Sequence, residues 1–493
     1  MRPLILPKVQ NPDLMPFNYR LFGEQVLLTN DAGYYVWLSK EEFGDFVSQN
    51  LDPHGQAMER LHTAHMVRDE KVELSVMDKI SRRSGHLFEG TSLHIVILTL
   101  RCNQNCVYCH ANRKPKDAKG YDMSMETAEK TLDVIFESPA QELTIEFQGG
   151  EPTLNFEVMR YMVEQGYKRS EKSGKTLYFS LVSNLSILSE DKVKFLVDNG
   201  VMVCSSLDGP KYLHDSNRPF GKGSSFDSTM EGIGSFRREY EKQSYDSSLA
   251  YVNVLATISR TSLSMPKEIV DEYISQGQKV VHLRPLNPFG MGKKIWSKQG
   301  YTAQEFLDFW KAAMDYMIQL NETGVEIMEK MASIMLTRIL SDKNPNYMDL
   351  RSPCGAGIGQ LAYNHDGKVY TCDEGRMVGA MGDDIFMVGD VAKDSYTDII
   401  HNPAVRSLCV SSCIECLPGC SQCAYAPYCG VCPVYNYVVH GDLVATMPSN
   451  DRCKVQMGML DYLFLKLRDP GTKAILSRWI ETRDRSSVYQ RVP

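Results

Sequence analysis

Residues 93–111 read LHIVILTLRCNQNCVYCHA, an apolar run followed at once by three closely spaced cysteines. The run from Leu93 to Leu100 suits a buried strand and is too short to cross a bilayer. Five further apolar runs alternate with helical patterns downstream, at residues 143–147, 177–182, 201–207, 252–258 and 280–286. Repeated strand–helix units predict a parallel sheet with helical crossovers, and hence an α/β barrel or open sheet.

Length, charge and cysteine content narrow the class of protein. The chain has 493 residues and a net charge of −7, which suits a globular protein of roughly two to four domains and excludes a strongly basic nucleic-acid binder. Its N-terminus, MRPLILPKVQ, lacks the apolar region of a secretory signal. We therefore expect a cytoplasmic protein that binds neither nucleic acid nor membrane. In that reducing compartment the 14 cysteines favour metal or iron–sulfur sites over disulfides.

The first part of the chain predicts a small separate unit. Two apolar runs, at residues 26–29 and 34–38, flank a Gly-containing loop and predict a hairpin. Ser39 and Glu42 then form a capping box that begins a helix. Strands followed by short helices predict a winged-helix-like unit with a linker at residues 81–85. The chain divides into five predicted segments: the winged-helix-like unit at 1–88, the α/β core at 89–300, a helical bridge at 301–350, a cysteine-rich domain at 351–467 and a polar C-terminal tail at 468–493.

The strongest motif is Cys102-x3-Cys106-x2-Cys109, directly after the first core strand. Barrels of parallel strands place their active sites at the carboxyl ends of the strands. Three thiolates can ligate three irons of a [4Fe–4S] cluster and leave the fourth iron open to a small molecule; the alternative is a structural zinc site with His110 as fourth ligand. The motif resembles the signature of the radical S-adenosylmethionine (SAM) superfamily. That resemblance implies a partial (β/α)6 barrel in which SAM is cleaved reductively to methionine and a 5′-deoxyadenosyl radical.

Later motifs fit the same family. The run Gln148-Gly149-Gly150-Glu151 follows the second core strand, and the resemblance implies that it binds the amino group of SAM. Polar loops follow the next two strands, and Arg218 is either a carboxylate partner or half of a surface ion pair. Cys204 lies inside an apolar strand and is interpreted as a core residue. The residues that the resemblance assigns to cofactor binding are Tyr108, Gln148, Gly149, Gly150, Glu151, Asn184, Ser206, Asp208 and Arg218.

The C-terminal cysteines resemble the SPASM extension of radical SAM peptide-modifying enzymes, which binds two auxiliary [4Fe–4S] clusters. The resemblance assigns Cys354, Cys372 and Cys432 to auxiliary site I, and Cys420, Cys423, Cys429 and Cys453 to auxiliary site II. The last gap in the run 420–432 is one residue shorter than in the family pattern. Three extra cysteines, Cys409, Cys413 and Cys416, precede that run. The fourth ligand of site I is therefore one of these or an open position, and zinc is the alternative for the whole region.

Asp373 follows Cys372 directly. In the sulfatase-maturing relatives an Asp at this place acts as general base on the substrate, so the resemblance assigns that role to Asp373. Glu374 is the nearby alternative, and the structural interpretation of Asp373 is a solvated acid in a turn. A carboxylate in a partly desolvated site suits proton uptake.

Residues 1–88 resemble recognition elements that bind leader peptides by adding them as an extra strand. The segments VLLTNDAGYYVWLSKEEF and CAYAPYCGVCPVYNY resemble the maturases of His-Xaa-Ser repeat peptide systems. We therefore expect a radical SAM enzyme that modifies a ribosomally synthesised precursor peptide by hydrogen abstraction, with auxiliary clusters that take up an electron or bind substrate. A low-potential donor such as flavodoxin or ferredoxin would supply electrons.

Two other functions stay open. The first is an anaerobic sulfatase-maturing enzyme that forms formylglycine. The second, from another class, is a non-catalytic metal-stapled protein for binding or electron transfer.

Overall fold

A nine-stranded sheet forms the centre of the molecule, and a three-stranded sheet precedes it in the chain. The structure is a computed structural model that describes residues 14–221, 223–246, 250–345, 347–445, 447 and 449–480. Within these ranges, no helix combines the length and the apolar character that crossing a membrane requires.

The N-terminal unit consists of an antiparallel sheet followed by three helices. Its elements are β1 (Phe17–Phe22), β2 (Gln25–Asn30), β3 (Tyr35–Ser39), α1 (Lys40–Val47), α2 (Gln56–Thr63) and α3 (Glu70–Ser84). The predicted hairpin is confirmed as β2 and β3, and Ser39 and Glu42 form the predicted capping box. The predicted linker at residues 81–85 is wrong. Residues 81–84 complete α3, which Asp69 caps and which buries Val72 and Val76.

The predicted parallel core is confirmed. In chain order its elements are β4 (Leu93–Thr99), β5 (Arg101–Cys102), β6 (Lys114–Pro115), α4 (Met125–Phe136), β7 (Glu142–Gly149), α5 (Phe156–Ser173), β8 (Thr176–Val182), α6 (Glu190–Asp198), β9 (Val201–Ser206), α7 (Lys211–Asn217), α8 (Ser225–Lys242), β10 (Asn253–Ile258), α9 (Pro266–Ser275), β11 (Val280–Val281) and β12 (Leu283–Pro285). Strands β4, β7, β8, β9, β10 and β12 lie side by side in that order, and each neighbouring pair is parallel. Their carboxyl ends therefore meet at one rim of a partial barrel.

Strand residues of the barrel alternate between two environments, as the pleat requires. On β7, Leu143, Ile145 and Phe147 are fully buried against the helices. The alternate residues Glu146 and Gln148 are only partly buried and face the inside of the barrel. The lumen wall is therefore polar at this strand, which suits a polar ligand.

The remaining chain continues the central sheet. Its elements are α10 (Met291–Gln299), α11 (Ala303–Glu322), β13 (Met328–Glu329), α12 (Lys330–Leu340), β14 (Gln360–Tyr363), β15 (Lys368–Tyr370), α13 (Asp373–Gly379), β16 (Met387–Asp390), α14 (Tyr396–Ile400), α15 (Pro403–Ser412), α16 (Pro433–His440), α17 (Asp451–Lys466) and α18 (Pro470–Ser477). Strand β14 pairs in parallel with β4, and β15 and β16 extend the sheet as antiparallel strands. Helix α18 lies in the segment predicted as a polar tail, and its Leu476 is fully buried.

The N-terminal unit packs on the cysteine-rich region rather than standing apart. Arg20 on β1 forms an ion pair with Asp461 on α17. The hydroxyl of Thr29 donates a hydrogen bond to the carbonyl oxygen of Ala424 at 2.7 Å, and the Tyr428 hydroxyl donates to the carbonyl oxygen of Gly33 at 2.8 Å. A unit predicted to bind peptide is thus fixed to the region that carries the auxiliary cysteines.

Candidate functional site

Cys102, Cys106 and Cys109 lie on the loop that leaves the carboxyl end of β4. Cys102 is buried and the other two are half-buried, and all three are free thiols. Main-chain hydrogen bonds hold the loop against the end of α7 and the segment after it: Val107 N–H donates to the carbonyl oxygen of residue 217 at 2.8 Å, and Asn105 N–H donates to that of residue 219 at 2.9 Å. The three thiols therefore stand at the rim of the barrel on a fixed loop.

The glycine motif at the end of β7 lies directly against this loop. Gly150 N–H donates to the carbonyl oxygen of Thr99 at 2.8 Å, and Glu151 N–H donates to that of Arg101 at 2.7 Å. A Cβ atom added to Gly149 would lie 2.2 Å from the Thr99 oxygen, and one added to Gly150 would lie 2.3 Å from the Arg101 oxygen. Only glycine permits this approach, so the two motifs form one structure.

The Glu151 carboxylate joins two loops of the rim. It is fully buried and accepts hydrogen bonds from the Thr153 N–H and hydroxyl, from the Ser183 hydroxyl at 2.8 Å and from Asn184 N–H at 2.9 Å. Burial raises its pKa. Because these protein donors occupy the carboxylate, a contact of this run with the amino group of SAM would fall to its main chain.

Three other predicted residues line the same rim. The amide of Asn184 donates to the side-chain oxygen of Asn103 at 2.9 Å, which ties the loop after β8 to the cysteine loop. Gln148 donates to Glu146 at 2.6 Å inside the barrel. Ser206 ends β9 and is half-buried. The sequence analysis missed Asn103, although that residue lies within the cysteine motif.

Tyr108, Asp208 and Arg218 form a buried group behind the cysteines. The Tyr108 hydroxyl and the Arg218 Nε both donate to Asp208, the latter at 3.2 Å, and the guanidinium lies 5.3 Å from the centre of the Tyr108 ring. Burial by itself lowers the pKa of Arg218, but Tyr108 and Asp208 beside it raise that pKa overall. The alternative that Arg218 belongs to a surface ion pair is wrong, because its side chain and that of its partner Asp208 are buried.

The donor set fits an iron–sulfur cluster. The Cys102 thiol interacts electrostatically with those of Cys106 and Cys109, and burial raises the pKa of Cys102 to about 12 and that of Cys106 to about 11. Such thiols bind iron only by releasing a proton. The buried nitrogens Gln104 Nε2 and His110 Nε2, on the same loop, have no hydrogen-bond partner. Among the residues that the structure describes, no three His, Cys, Asp or Glu side chains are close enough together to hold a single metal ion.

The lumen beside this loop carries charge. Cys204 on β9 is half-buried, and its thiol interacts electrostatically with Glu146 on β7 and Arg284 on β12. The interpretation of Cys204 as a core residue is therefore wrong; a strand buried on both faces does not reveal from its sequence which face lines the lumen. The sequence analysis also missed Arg284, whose signal was a charged residue in an otherwise apolar core strand.

The three cysteines assigned to auxiliary site I lie together. Cys354, Cys372 and Cys432 are buried in one apolar cluster, and their thiols interact electrostatically. The extra cysteines lie elsewhere: Cys409 packs against the main core, and the sulfurs of Cys413 and Cys416 are 3.8 Å apart at the surface. The choice between an extra cysteine and an open position as the fourth ligand of site I therefore stays undecided.

The four cysteines assigned to auxiliary site II also converge. The Cys429 thiol interacts with those of Cys423, Cys453 and Cys420, and it donates to the Gln456 side-chain oxygen at 2.7 Å. These thiols come from the loop between α15 and α16 and from the first turn of α17. That both auxiliary sites ligate iron stays a prediction.

Asp373 and Glu374 begin α13, directly after Cys372. Asp373 is buried and accepts hydrogen bonds from Arg376 Nε at 2.8 Å and Nη2 at 2.7 Å. The interpretation of Asp373 as a solvated acid in a turn is therefore wrong. The pKa of Glu374 is raised by burial and by the neighbouring carboxylates of Asp349 and Asp373.

Asp373 lies within electrostatic range of the barrel. It interacts electrostatically with His110 on the cysteine loop and with Glu146 in the lumen. Phe289 links auxiliary site I to the cysteine loop by contact, because it lies in the apolar cluster of the three site I cysteines and the centre of its ring lies 6.5 Å from that of His110.

Comparison with known proteins defines the class. Residues 96–252 match the family model of the Radical SAM superfamily, so this part of the chain is a radical SAM domain, and the predicted barrel, [4Fe–4S] cluster and SAM are confirmed. A cysteine-type anaerobic sulfatase-maturating enzyme of Clostridium perfringens is 26% identical over 282 residues, which cover 55% of this chain and 71% of that enzyme. The chain therefore contains a radical SAM domain and is similar in sequence to sulfatase-maturating enzymes.

Two solved structures share the fold. The enzyme anSMEcpe with bound AdoMet aligns with a TM-score of 0.64 and 20% identity, over 79% of this chain and 99% of that one. SuiB of Streptococcus suis bound to its precursor peptide SuiA aligns with a TM-score of 0.52 and 14% identity, over 89% of this chain and 99% of that one.

Proposed function

We propose that the protein modifies a ribosomally synthesised peptide by hydrogen abstraction, with auxiliary clusters that take up an electron or bind the substrate. One observation carries the proposal: the site I ligand Cys372 shares an apolar cluster with Phe289, whose ring packs against His110 on the loop that borders the barrel lumen. A peptide residue in that lumen would lie between the radical source and auxiliary site I.

The residues of the rim have separate roles. When bound, the cluster and SAM supply the 5′-deoxyadenosyl radical. Cys102, Cys106 and Cys109 would hold the cluster, and the main chain of residues 149–151 with the buried group around Arg218 would orient SAM. The walls of the barrel exclude water from the reacting atoms, while the bound cofactors carry the chemistry itself.

A proton acceptor is needed when a substrate radical loses an electron. Asp373 takes this role in our proposal, because Arg376 holds its carboxylate in place directly after the site I ligand Cys372. Glu374 is the alternative, one residue further along α13. Both follow Cys372, so the proton and the electron would leave the substrate on the same side.

The N-terminal unit offers a groove for the rest of the peptide. A cavity of about 850 Å³ lies between β3 and α2 and is lined in addition by Lys79 and Asp342. Strand β3 is an edge of its sheet. Since Asn30 N–H pairs with the carbonyl oxygen of residue 34, the alternation of an antiparallel ladder directs the main-chain groups of Tyr35 and Trp37 to the open edge. An extended leader peptide can add there as a fourth strand.

Two relatives suggest two substrates. SuiB binds a precursor peptide, and its structure aligns with more of this chain than anSMEcpe does, 89% against 79%. The identity to a sulfatase-maturating enzyme, 26% over 282 residues, favours formylglycine formation as the second candidate.

One experiment separates these functions. The reconstituted protein is incubated anaerobically with SAM, dithionite and either a His-Xaa-Ser repeat precursor with its leader or a cysteine-containing sulfatase peptide. We expect 5′-deoxyadenosine and a changed mass for the precursor alone. A changed mass for the sulfatase peptide alone would select formylglycine formation, and the absence of 5′-deoxyadenosine in every sample would leave the non-catalytic alternative.

A further inference from the structure

A cavity is lined by the cluster ligand Cys102 but by none of the lumen residues Glu146, Gln148, Cys204 and Arg284, so it lies on the side of the cysteine loop away from the lumen. It has a volume of about 460 Å³ and opens to the surface. Ile187, Pro219 and Phe220 give it an apolar part, while Arg113 and Lys116 line its edge. Cys102 itself is 9% exposed. The outer side of the candidate cluster is thus separated from solvent by little protein.

The edge of this cavity is basic in an acidic protein. Residues 113–119 read RKPKDAK, four basic residues and one acidic residue, in a chain of net charge −7. Lys116 and Lys119 are exposed. The nearby carboxylate of Asp122 is paired with Arg101 at 2.7 Å, so it does little to offset the charge of the loop.

We infer that this surface, the cavity together with residues 113–119, docks an acidic electron-transfer protein of the flavodoxin type. The inference rests on the proposed function, which requires a low-potential donor. One electron passes from the reduced donor to the cluster held by Cys102, Cys106 and Cys109; the donor is oxidised by one electron and no bond forms or breaks. SAM and the peptide need the lumen side of the cluster, so the donor approaches from the outside.

Charge and shape both support this assignment. A positive edge attracts a negatively charged partner and raises its association rate, by roughly 10- to 1,000-fold in steered encounters. The apolar part of the cavity gives the partner a surface to bury. Electron transfer slows steeply with distance, and this cavity shortens the path to Cys102.

The test reverses charge at this surface and at a matched distant one. The variant K116E/K119E changes the docking surface. The control K168E/K172E changes net charge equally at exposed residues near the end of α5, next to the amino end of β8 and thus at the opposite rim. Full-length reconstituted proteins are assayed for 5′-deoxyadenosine with reduced flavodoxin or with dithionite, and calorimetry measures their affinity for flavodoxin.

We expect K116E/K119E to lower the flavodoxin-driven rate and the affinity at least about tenfold at low ionic strength. The difference should shrink at about 0.5 M salt, where surface charges are screened. The dithionite-driven rate and the control variant should stay as in the wild type. An unchanged flavodoxin rate and affinity, an equal loss in the control, or an equal loss with dithionite would each overturn the inference. If the wild type made no 5′-deoxyadenosine with dithionite, the proposed function would fail, whereas the affinities would still decide where flavodoxin binds.

Discussion

The cysteine loop at the barrel rim and the cysteine-rich region bring thiols together in different ways. At the rim, three cysteines lie within residues 102–109, and hydrogen bonds tie their loop to the loops after β7 and β8. Auxiliary site I collects cysteines 354, 372 and 432, which meet only because β14 and β15 extend the barrel sheet. A local motif therefore defines the first site, whereas the fold defines the second.

The two regions also differ in the number of ligands they offer. The rim offers three cysteines and leaves a position for SAM. Site II offers four half-buried cysteines, and site I offers three buried ones in the apolar cluster of Phe289. The difference predicts distinct roles: radical formation at the rim, and substrate contact or electron uptake at the auxiliary sites.

The largest effect is expected from a variant that lacks only the rim site. Changing Cys102, Cys106 and Cys109 together to Ala should lower iron by about a third of roughly twelve atoms per chain, since four of them belong to this cluster, and should abolish SAM cleavage. Iron analysis and a 5′-deoxyadenosine assay measure both.

The matched control for that variant changes Cys409, Cys413 and Cys416 to Ala, which should leave SAM cleavage intact. Loss of iron in this control would show that one of the three is the fourth ligand of site I. Undiminished 5′-deoxyadenosine from the rim variant would refute the assignment of the radical site.

The next effect tests the contact between the two regions. Asp373→Asn keeps the shape of the side chain and removes its basicity, so clusters should assemble and SAM should still be cleaved. Product should fall about 10²- to 10⁴-fold, the usual contribution of a positioned base. Peptide mass spectrometry, with Glu374→Gln as the control, measures the loss. Near-normal product from Asp373→Asn and a loss from Glu374→Gln would exchange the two roles.

A smaller effect concerns the groove of the N-terminal unit. Thr63 and His62 are adjacent exposed residues at the end of α2, but only Thr63 lines the groove. Thr63→Trp should fill it and weaken precursor binding about tenfold, a loss of about 1.4 kcal/mol. His62→Trp should bind as the wild type does. Equal affinities of both variants, measured by fluorescence titration, would place the leader elsewhere.

The smallest effect concerns SAM at the rim. Arg218→Lys keeps the charge and loses the planar fork, so it should raise KM for SAM by up to about tenfold with little change in kcat. Iron content should not change. A fall in kcat at constant KM would mean that Arg218 acts on the reaction rather than on SAM binding.

Sequence alone predicted the parts that depend on local pattern. The six core strands, the capping box at Ser39 and the cysteine loop follow from periodicity and spacing that neighbouring residues impose. The burial of the Asp208–Arg218 pair and the lumen position of Cys204 do not, because they depend on which strand face points inward and on what packs above it. The charged lumen residue Arg284 belongs to the same class.

The central claim is that the radical formed at the rim takes hydrogen directly from a peptide in the lumen. Its most direct test uses a precursor peptide that carries deuterium on the carbon-bound positions of the modified segment, incubated anaerobically with the reconstituted protein, SAM and dithionite. The account predicts that each modified peptide is accompanied by one 5′-deoxyadenosine that carries one deuterium atom. The unlabelled precursor should give 5′-deoxyadenosine without deuterium. Modified peptide accompanied by 5′-deoxyadenosine without deuterium would contradict it.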